Sequence, residues 1–337
     1  MKLLITGGLG FIGTNFIRYW ITKHPNDQII NLDKITYAAN PDNLANLSTN
    51  PNYKFIKGDI VDQEVVDDLV SQVDTIVHFA AESHVDRSID DPLLFVKTNV
   101  LGTYSLLKAA LKQKTRFHHI STDEVYGTVD PNTNEEFSEI TSFNPTSPYA
   151  ASKASSDLFA LSFYKTYGLP LTITNCSNNY GPYQNPEKFI PRLITNILSD
   201  KKIPVYGRGE NLRDWLFVDD HCSAIETVLL KGKIGETYCI GGLKEATRNI
   251  DIVKKVLTIM GRGEEMIEYV ADRPAHDNYR VSWKKINQEL GWQPKESLES
   301  GLTKTIKWYT ENQDWWQKSK AEAEQFYQKL NNYQNLK

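Results

Sequence analysis

The sequence predicts an α/β fold, a doubly wound parallel sheet with a smaller, irregular C-terminal domain. Three observations carry this. Short β-branched runs alternate with longer amphipathic ones through the first half of the chain. Runs such as Thr75-Ile-Val-His-Phe are almost continuously apolar, as strands covered on both faces require. A glycine-rich turn joins the first run to the first amphipathic stretch. Alternating strands and helices argue a parallel sheet with helices on both sides.

Strands are expected over 2–6, 28–33, 53–58, 75–79, 116–121 and 171–175, with helices over 11–23, 63–71, 92–112 and 147–167. The first strand runs into Gly7-Gly8-Leu9-Gly10, which opens the first helix. The second strand ends on Asp33 and the third on Gly58-Asp59. The fourth is the apolar run itself. The fifth is followed by a hydroxyl and two carboxylates, Thr122-Asp123-Glu124. The helix over 147–167 opens on Ser147-Pro148. After Tyr180 the rhythm changes: Pro182, Pro186, Pro191 and Pro204 interrupt the chain, and Gly207, Gly209, Gly241 and Gly242 mark turns. The expected division is a dinucleotide-binding domain over 1–180, to which some later segments return, and a mainly substrate-binding domain over 181–337. The tail from Leu302, with Trp308, Trp315, Trp316 and Tyr327, reads as helices docked on the body without chemistry of their own.

The 337 residues suffice for a sizeable core, and 40% hydrophobic with 24% charged residues is an ordinary globular composition. A net charge of -4 gives no basic field to draw nucleic acid. No window approaches the roughly 18 apolar residues of a membrane helix. The first residues reach glycine too soon for a signal-peptide core, so a cytoplasmic protein is expected. Cys176, Cys222 and Cys239 are odd in number and widely spaced, which does not make a disulfide framework or a metal site. His118 and His119 are adjacent in a strand and point to opposite faces, as core or surface histidines rather than ligands.

Gly8-x-Gly10-x-x-Gly13 fits the dinucleotide-binding spacing, and Gly7-x-x-Gly10-x-x-Gly13 its short-chain variant. Such glycines permit a tight turn, close approach of a pyrophosphate and close helix–strand packing, and the helix start offers free N–H groups to phosphate. Asp33 ends the second strand 20 residues after Gly13, where an acid binds the adenosine ribose. With this context the fold is a Rossmann-type sheet. A carboxylate there repels a 2′-phosphate and favours NAD over NADP. Lys34 follows it directly. Asp59 is read either as a partner of the adenine amino group or as a helix N-cap.

Tyr149 and Lys153 stand four apart and share a helix face. A free tyrosine, with a pKa of about 10, is a poor base at neutral pH. A neighbouring ammonium and a positive nicotinamide ring favour the phenolate. Alone, Tyr-x-x-x-Lys is commonly a surface pair. Here it follows a strand ending in Ser121-Thr122. Asp123 and Glu124 are either a solvated loop or, at the carboxyl end of a strand where open sheets place ligands, a pair dividing acid and base roles.

These residues carry a resemblance. The chain resembles the extended short-chain dehydrogenases/reductases and, over nearly its whole length, the dTDP-glucose 4,6-dehydratases. The matching stretches are Asp33-Lys-Ile-Thr-Tyr-Ala-Ala-Asn40, Ala80-Ala-Glu-Ser-His-Val-Asp-Arg-Ser88, Ser121-Thr-Asp-Glu-Val-Tyr-Gly127, Ser177-Asn-Asn-Tyr-Gly-Pro-Tyr-Gln184, Glu187-Lys-Phe-Ile-Pro191 and Arg213-Asp-Trp-Leu-Phe-Val-Asp-Asp-His221. Related 4-epimerases share Tyr-x-x-x-Lys but lack the Thr-Asp-Glu trio. The resemblance implies that Tyr149 takes the sugar 4-hydroxyl proton as hydride leaves C4 for NAD, while Thr122 bonds O4. Lys153 holds the nicotinamide ribose and lowers the tyrosine pKa. Glu124 then removes the C5 proton, Asp123 protonates the departing C6 hydroxyl, hydride returns to C6 and C5 is reprotonated. It further implies that NAD lies against Gly7, Gly10, Phe11, Ile12, Gly13, Asp33, Lys34, Asp59, Ile60, Ala80, Ala81, Tyr149, Lys153 and Asn178. The nucleotide sugar, dTDP-glucose, meets Ser83, Asn178, Lys188, Tyr206, Arg213 and His276, with Asn179 a further candidate.

One stretch departs from the family pattern Arg-Pro-Gly-His-Asp-x-Arg-Tyr-Ala-Ile-Asp. Here Arg273-Pro-Ala275-His-Asp-Asn278-Tyr279-Arg-Val-Ser282 is one residue shorter, has Ala275 for glycine and lacks the arginine before Tyr279, for which Arg280 is the candidate substitute. That leaves open another nucleotide sugar, UDP-glucose or a UDP-N-acetylhexosamine. A 4-epimerase or a non-catalytic NAD-binding scaffold would leave Asp123 and Glu124 without a task. A homodimer is expected through outward apolar and small residues of the helices over 92–112 and 147–167, namely Leu101, Leu106, Ala150, Ala154 and Leu158. No nucleic acid, membrane or metal partner is expected.

Overall fold

The computed structural model describes residues 1–243, 246–272 and 276–334, with side chains to Tyr327. Its centre is a seven-stranded sheet. The strands are β1 (Lys2–Thr6), β2 (Gln28–Asp33), β3 (Tyr53–Lys57), β4 (Thr75–His78), β5 (Arg116–Thr122), β6 (Leu171–Cys176) and β7 (Thr237–Ile240). The order across the sheet is β7-β6-β5-β4-β1-β2-β3, and every pairing is parallel. The reversal of order between β1 and β4 opens a crevice at the carboxyl ends of the strands, where such sheets bind ligands.

Alternation along each strand builds two apolar layers. Leu4, Ile30, Ile76 and Phe117 face the helices Gln63–Val70, Thr103–Gln113 and Pro148–Tyr167 through Val66, Leu106, Leu107, Ala160 and Phe163. Leu3, Ile5 and Val77 face the opposite way, onto Phe16, Ile17 and Trp20 of Phe11–Lys23 and onto Val218, Cys222 and Ile225 of Val218–Lys231. The helix Val218–Lys231 and β7 thus bring part of the second half back to the sheet. The remainder has a core of its own, from Leu193 and Ile194 of Phe189–Leu198, Val253 and Val256 of Asn249–Ile259, and Leu302, Tyr309 and Trp316 of the tail. Among the described residues, no helix is long and apolar enough to cross a membrane.

The stretch expected as one helix over 92–112 is a composite. It runs α-helical over Pro92–Phe95, π-helical over Val96–Gly102 and α-helical again over Thr103–Gln113. The wide turn has a local cause. It points Asn99 inward, where its amide nitrogen donates to Glu82 O and Ser152 Oγ and its oxygen accepts from Glu82 N. It also lays Gly102 against Ile60, where a Cβ would stand 2.4 Å from Ile60 Cδ1.

The residues expected to face outward from this composite and from Pro148–Tyr167 divide. Leu101 and Leu158 are 51% and 56% exposed, but Leu106, Ala150 and Ala154 are buried within the subunit. A four-residue helical spacing cannot distinguish a stripe facing solvent from one facing the chain's own sheet. Besides Leu101 and Leu158, the exposed large apolar residues on these two elements are Leu93, Leu94, Val96, Tyr104, Phe159 and Tyr167.

The turn between β1 and Phe11–Lys23 depends on absent side chains. Gly7 has φ of +74°, and a Cβ on Gly13 would lie 2.4 Å from Gly7 O and 2.8 Å from Gly8 Cα, both backbone. Gly13→Ala is therefore expected to cost about 1–3 kcal/mol of stability through overpacking, read as a lowered midpoint of urea unfolding.

Candidate active site

A cavity of about 480 Å³ opens over the carboxyl ends of β1, β2, β4, β5 and β6. Its floor is the glycine turn, with Gly7, Gly10, Phe11, Ile12 and Gly13 in the wall. Gly8 is turned away, since a Cβ there would meet Asn31 Oδ1 at 2.2 Å. The short-chain spacing Gly7-x-x-Gly10-x-x-Gly13 is thus the one that faces the cavity. Gly10 caps the helix with no side-chain hydrogen bond, leaving the first N–H groups directed at the crevice. Asp33 lies at the wall, its carboxylate accepting from Leu9 N at 2.9 Å and Ile35 N at 2.8 Å. Burial, the larger influence, raises its pKa, and those two donors oppose the rise. A glycine cradle, an open helix start and a strand-end carboxylate together fit a dinucleotide.

Lys34, Asp59, Ile60, Ala80 and Ala81 line the same cavity. Asp59 is not the helix cap. Asp62 fills that role, accepting from Glu64 N and Val65 N, while Asp59 pairs with Lys34 at 2.6 Å and accepts from Val61 N. Two residues separate the two aspartates, and the sequence alone does not say which starts the helix.

A second cavity of about 190 Å³ adjoins the first. Ser83, Asn178, Asn179, Gln184, Glu187, Lys188 and Glu124 line both. Tyr206, Arg213 and His276 belong to the second alone, so every residue expected at the substrate end lies there. Lys188 Nζ donates to Ser83 O at 2.8 Å. Arg213 is nearly buried, its guanidinium 4.6 Å from the Tyr279 ring centre and bonded to Leu212 O and Asp277 O. The Tyr206 and His276 rings meet edge to face at 6.1 Å. Asn179 is committed to the fold, donating to Cys176 Sγ and Ser177 O and bonding His221 Nδ1. Asn178 Oδ1, Gln184 Oε1, Trp215 Nε1 and Asn249 Oδ1 are buried with no partner among the described residues, and all four residues line this cavity.

The segment departing from the family pattern is described from His276 onward; Arg273 and Ala275 lie outside the described residues. Arg280 does not replace the missing arginine. Its guanidinium bonds Thr133 O, and it lines neither cavity. The tail does contribute to the site, contrary to the sequence expectation. Tyr327 lines the second cavity, donates to Glu187 O at 2.9 Å and lies under the Arg192 guanidinium at 3.9 Å. Arg87, Tyr37 and Glu187 were also not singled out. Arg87 pairs with Glu187 at 3.2 Å and stacks 3.8 Å from the Tyr37 ring. Their only sequence signal is membership of the quoted motifs.

The two cavities meet at the end of β5. Thr122 closes the strand and caps the turn Asp123–Tyr126, accepting from Glu124 N at 3.3 Å. Thr122, Glu124, Tyr149 and Lys153 line the larger cavity. Ser147 caps the helix Pro148–Tyr167 through Ala150 N, which sets Tyr149 in its first turn. Lys153 Nζ donates to Ile120 O at 2.8 Å. Asp123 lies behind Thr122, lines neither cavity and is 1% exposed; it accepts from Thr122 Oγ1, and its Oδ2 has no partner among the described residues.

The charges run against the simplest sequence expectation. Burial, then the field of Glu124, raises the Tyr149 phenol above its ordinary value, with a hydrogen bond to Thr122 opposing. Burial lowers the Lys153 ammonium. Asp123 is raised well above the carboxylate range, by burial first and then by Glu124 and Asp214. Asp214 is itself pushed up to about 7 by burial.

A carboxyl raised in the fold binds protons more tightly than in the unfolded chain. Its stabilising contribution is present below the unfolded value of about 3.9 and is lost as pH rises through the folded value. Asp123→Asn is therefore expected to be more stable than the parent at pH 8, by about 1–2 kcal/mol. The gain should disappear towards pH 4. Calorimetric Tm measured for both proteins across that range tests it.

The family model described as GDP-mannose 4,6 dehydratase matches residues 4–305. A dTDP-glucose 4,6-dehydratase of Escherichia coli is 48% identical, over 94% of this chain and 96% of its own. One from Mycobacterium tuberculosis is 45% identical over 97% and 99%. Among solved structures, the dTDP-glucose 4,6-dehydratase DesIV of Streptomyces venezuelae, with NAD and TYD bound, superposes with a TM-score of 0.91 at 46% identity, covering 95% of this chain and 100% of that one. A UDP-glucose 4-epimerase of Thermotoga maritima with UDP-glucose superposes at 0.86 with 28% identity, over 93% of this chain and 100% of that one. The chain belongs to the dTDP-glucose 4,6-dehydratase family.

Proposed function

We propose that the chain is an NAD-dependent hydro-lyase that converts dTDP-glucose to dTDP-4-keto-6-deoxyglucose. The observation that carries this is the turn Thr122-Asp123-Glu124, set at the junction of a dinucleotide-shaped cavity and a second, polar one. Relatives of the same family are solved with NAD and with TYD.

NAD, held in the larger cavity by the glycine turn and Asp33, would supply a hydride acceptor for C4 and a hydride donor for C6. The chain's own residues move the protons. Tyr149 takes the proton of the 4-hydroxyl, and Thr122, bonded to it, aligns that oxygen. Burial and Glu124 hold the phenol protonated, so positive charge beside it, from Lys153 and a nicotinamide ring, is what makes it a base. A C4 ketone acidifies the C5 proton, and Glu124, facing both cavities, removes it and gives a proton back to C5 once hydride has reached C6. Asp123, kept neutral by burial and by two neighbouring carboxylates, is suited to protonate the leaving C6 oxygen. That role requires its Oδ2 to turn out from behind Thr122. Arg213 and Lys188 supply cations for a diphosphate, and Tyr206 an aromatic wall for the base. The Asp33 carboxylate supports NAD over NADP by opposing a 2′-phosphate. Three free, buried cysteines support a reducing, cytoplasmic setting.

Two variants separate the halves of the reaction. With Tyr149→Phe, substrate should give no NADH absorbance. With Glu124→Gln, that absorbance should persist while water loss and deuterium exchange at C5 fall about a hundredfold to ten-thousandfold. Dehydration by Glu124→Gln at the parent rate would remove Glu124 from the mechanism.

We also infer a homodimer. Leu93, Val96, Leu101, Tyr104, Leu158, Phe159 and Tyr167 are exposed on two neighbouring elements, and grouped exposed apolar residues suit an interaction surface. A two-fold axis would pair this face with itself. Light scattering at micromolar concentration should give twice the 38.5 kDa chain mass; a monomer mass rejects the dimer.

A further inference from the structure

The mechanism above leaves one buried carboxylate beneath the Tyr149–Lys153 pair without a role. Tyr149, Lys153 and Asp157 follow each other at four-residue intervals on one face of the helix Pro148–Tyr167. Asp157 is 1% exposed. Its Oδ2 accepts from Ser121 Oγ at 2.8 Å and from Asn175 Nδ2 at 3.0 Å, and its Oδ1 lies 3.1 Å from His119 Nε2. One helical turn away, Lys153 Nζ donates to Ile120 O. Lysine and aspartate therefore grip adjacent residues of β5, immediately before Thr122-Asp123-Glu124.

We propose that Asp157 is a positioning residue for the Tyr149–Lys153 pair, a buried counter-charge that keeps Lys153 an ammonium and anchors the end of β5 that presents Thr122 and Glu124. This rests on the reading of Tyr149 as the first base. Burial favours the neutral amine at Lys153, and the charge that leads the opposition is Asp157, ahead of Cys176. The other groups facing this pocket do not substitute for it. From β5, His119 is driven far below its ordinary value by burial and then by Lys153, so it is neutral and leaves the Asp157 charge uncancelled. From β4, His78, whose ring lies 5.3 Å from that of His119, is neutral for the same first cause. From β6, burial pushes the Cys176 thiol up to about 12. Tyr126 feels Asp157 as one of several fields that keep its phenol protonated. Burial raises Asp157 itself to about 6, against Lys153, Ser121 and Asn175. Above that pH the carboxylate is charged and holds the ammonium; below it the support is withdrawn.

The test is Asp157→Asn, read without relying on turnover alone. Ultraviolet difference titration of each protein against its own Tyr149→Phe version isolates one phenol among the tyrosines. In NAD-loaded protein the Tyr149 midpoint should rise by about one pH unit in Asp157→Asn, with kcat at pH 7 down about tenfold. KM for the nucleotide sugar should stay within about threefold, and the deficit should shrink as pH rises. An unshifted midpoint with kcat within about twofold of the parent overturns the proposal. So does a loss of kcat equal at every pH, which marks a merely structural role. Should Asp157→Asn not fold, Ser121→Ala keeps the carboxylate and removes one of its hydrogen bonds. It should then move upward the acid limb of kcat, expected near the Asp157 value of about 6 in the parent, and an unmoved limb overturns the proposal. Failure of the base reading is distinct: it would appear as activity retained in Tyr149→Phe, whatever Asp157→Asn does.

Discussion

The site hangs on the junction between the end of β5 and the helix Pro148–Tyr167. Lys153 bonds Ile120 O, Ser121 bonds Asp157 and His119 meets Ser156, while Asn175 of β6 ties Asp157 to Thr122 O at 3.1 Å. β5 has partners on both sides, β4 and β6, so its end has little freedom. The helix is capped by Ser147 and packed on the same sheet through Ala160 and Phe163. The strand presents Thr122, Asp123 and Glu124; the helix presents Tyr149 and Lys153. The groups proposed for acid–base work thus sit on, or directly after, rigid elements, which holds their spacing.

That rigidity has an electrostatic cost. Asp123, Asp157, Lys153 and Tyr149 are all buried, and in each case burial is the leading influence on ionisation. Each group is moved towards its neutral form. For an acid that must donate, as proposed for Asp123, this is useful. For a phenol that must lose its proton, as proposed for Tyr149, it is an obstacle, and on that proposal the needed positive charge falls to Lys153 and the cofactor. Folding stability is thereby traded for reactivity at a few buried positions.

Much of this was legible in the sequence because period and punctuation agreed. Six of the seven sheet strands fall on runs rich in apolar and β-branched residues, and the glycine turn sits between the first strand and first helix as its chemistry requires. β7 was not legible. Thr237-Tyr-Cys-Ile is only four residues, far along the chain, and its pairing with β6 is a tertiary fact. The π-helical turn escaped because Asn99 and Gly102 answer to Glu82, Ser152 and Ile60, not to helical period. Leu106, Ala150 and Ala154 were turned the wrong way for a related reason: with apolar surface on both sides, a helix gives no sign of which stripe faces the sheet. At the site, the motif residues were found, but Tyr327 was not. An aromatic at the end of a charged tail carries no local mark of the cavity it will line.

The substrate side shows why that tail matters. Its cavity holds four buried polar atoms with no partner among the described residues, on Asn178, Gln184, Trp215 and Asn249. Each such atom costs about 1–3 kcal/mol when it is left without a hydrogen bond. A fold keeps such atoms where surrounding contacts hold the cavity open to water or to a ligand that replaces it. The surrounding contacts are visible. Trp215 stacks on Phe189, Lys320 ties the tail to Thr195 and Asn196, and Tyr327 reaches Glu187 O. Trp315 reaches back to Asn43, whose amide bonds Leu9 O in the glycine turn. One helix, Gln313–Gln334, thus touches the loop under the dinucleotide cavity at one end and the wall of the substrate cavity at the other. A nucleotide sugar bringing two phosphates and several hydroxyls has the polarity to satisfy the four open atoms. The same set would be a poor match for an apolar ligand, because it would bury them again unsatisfied.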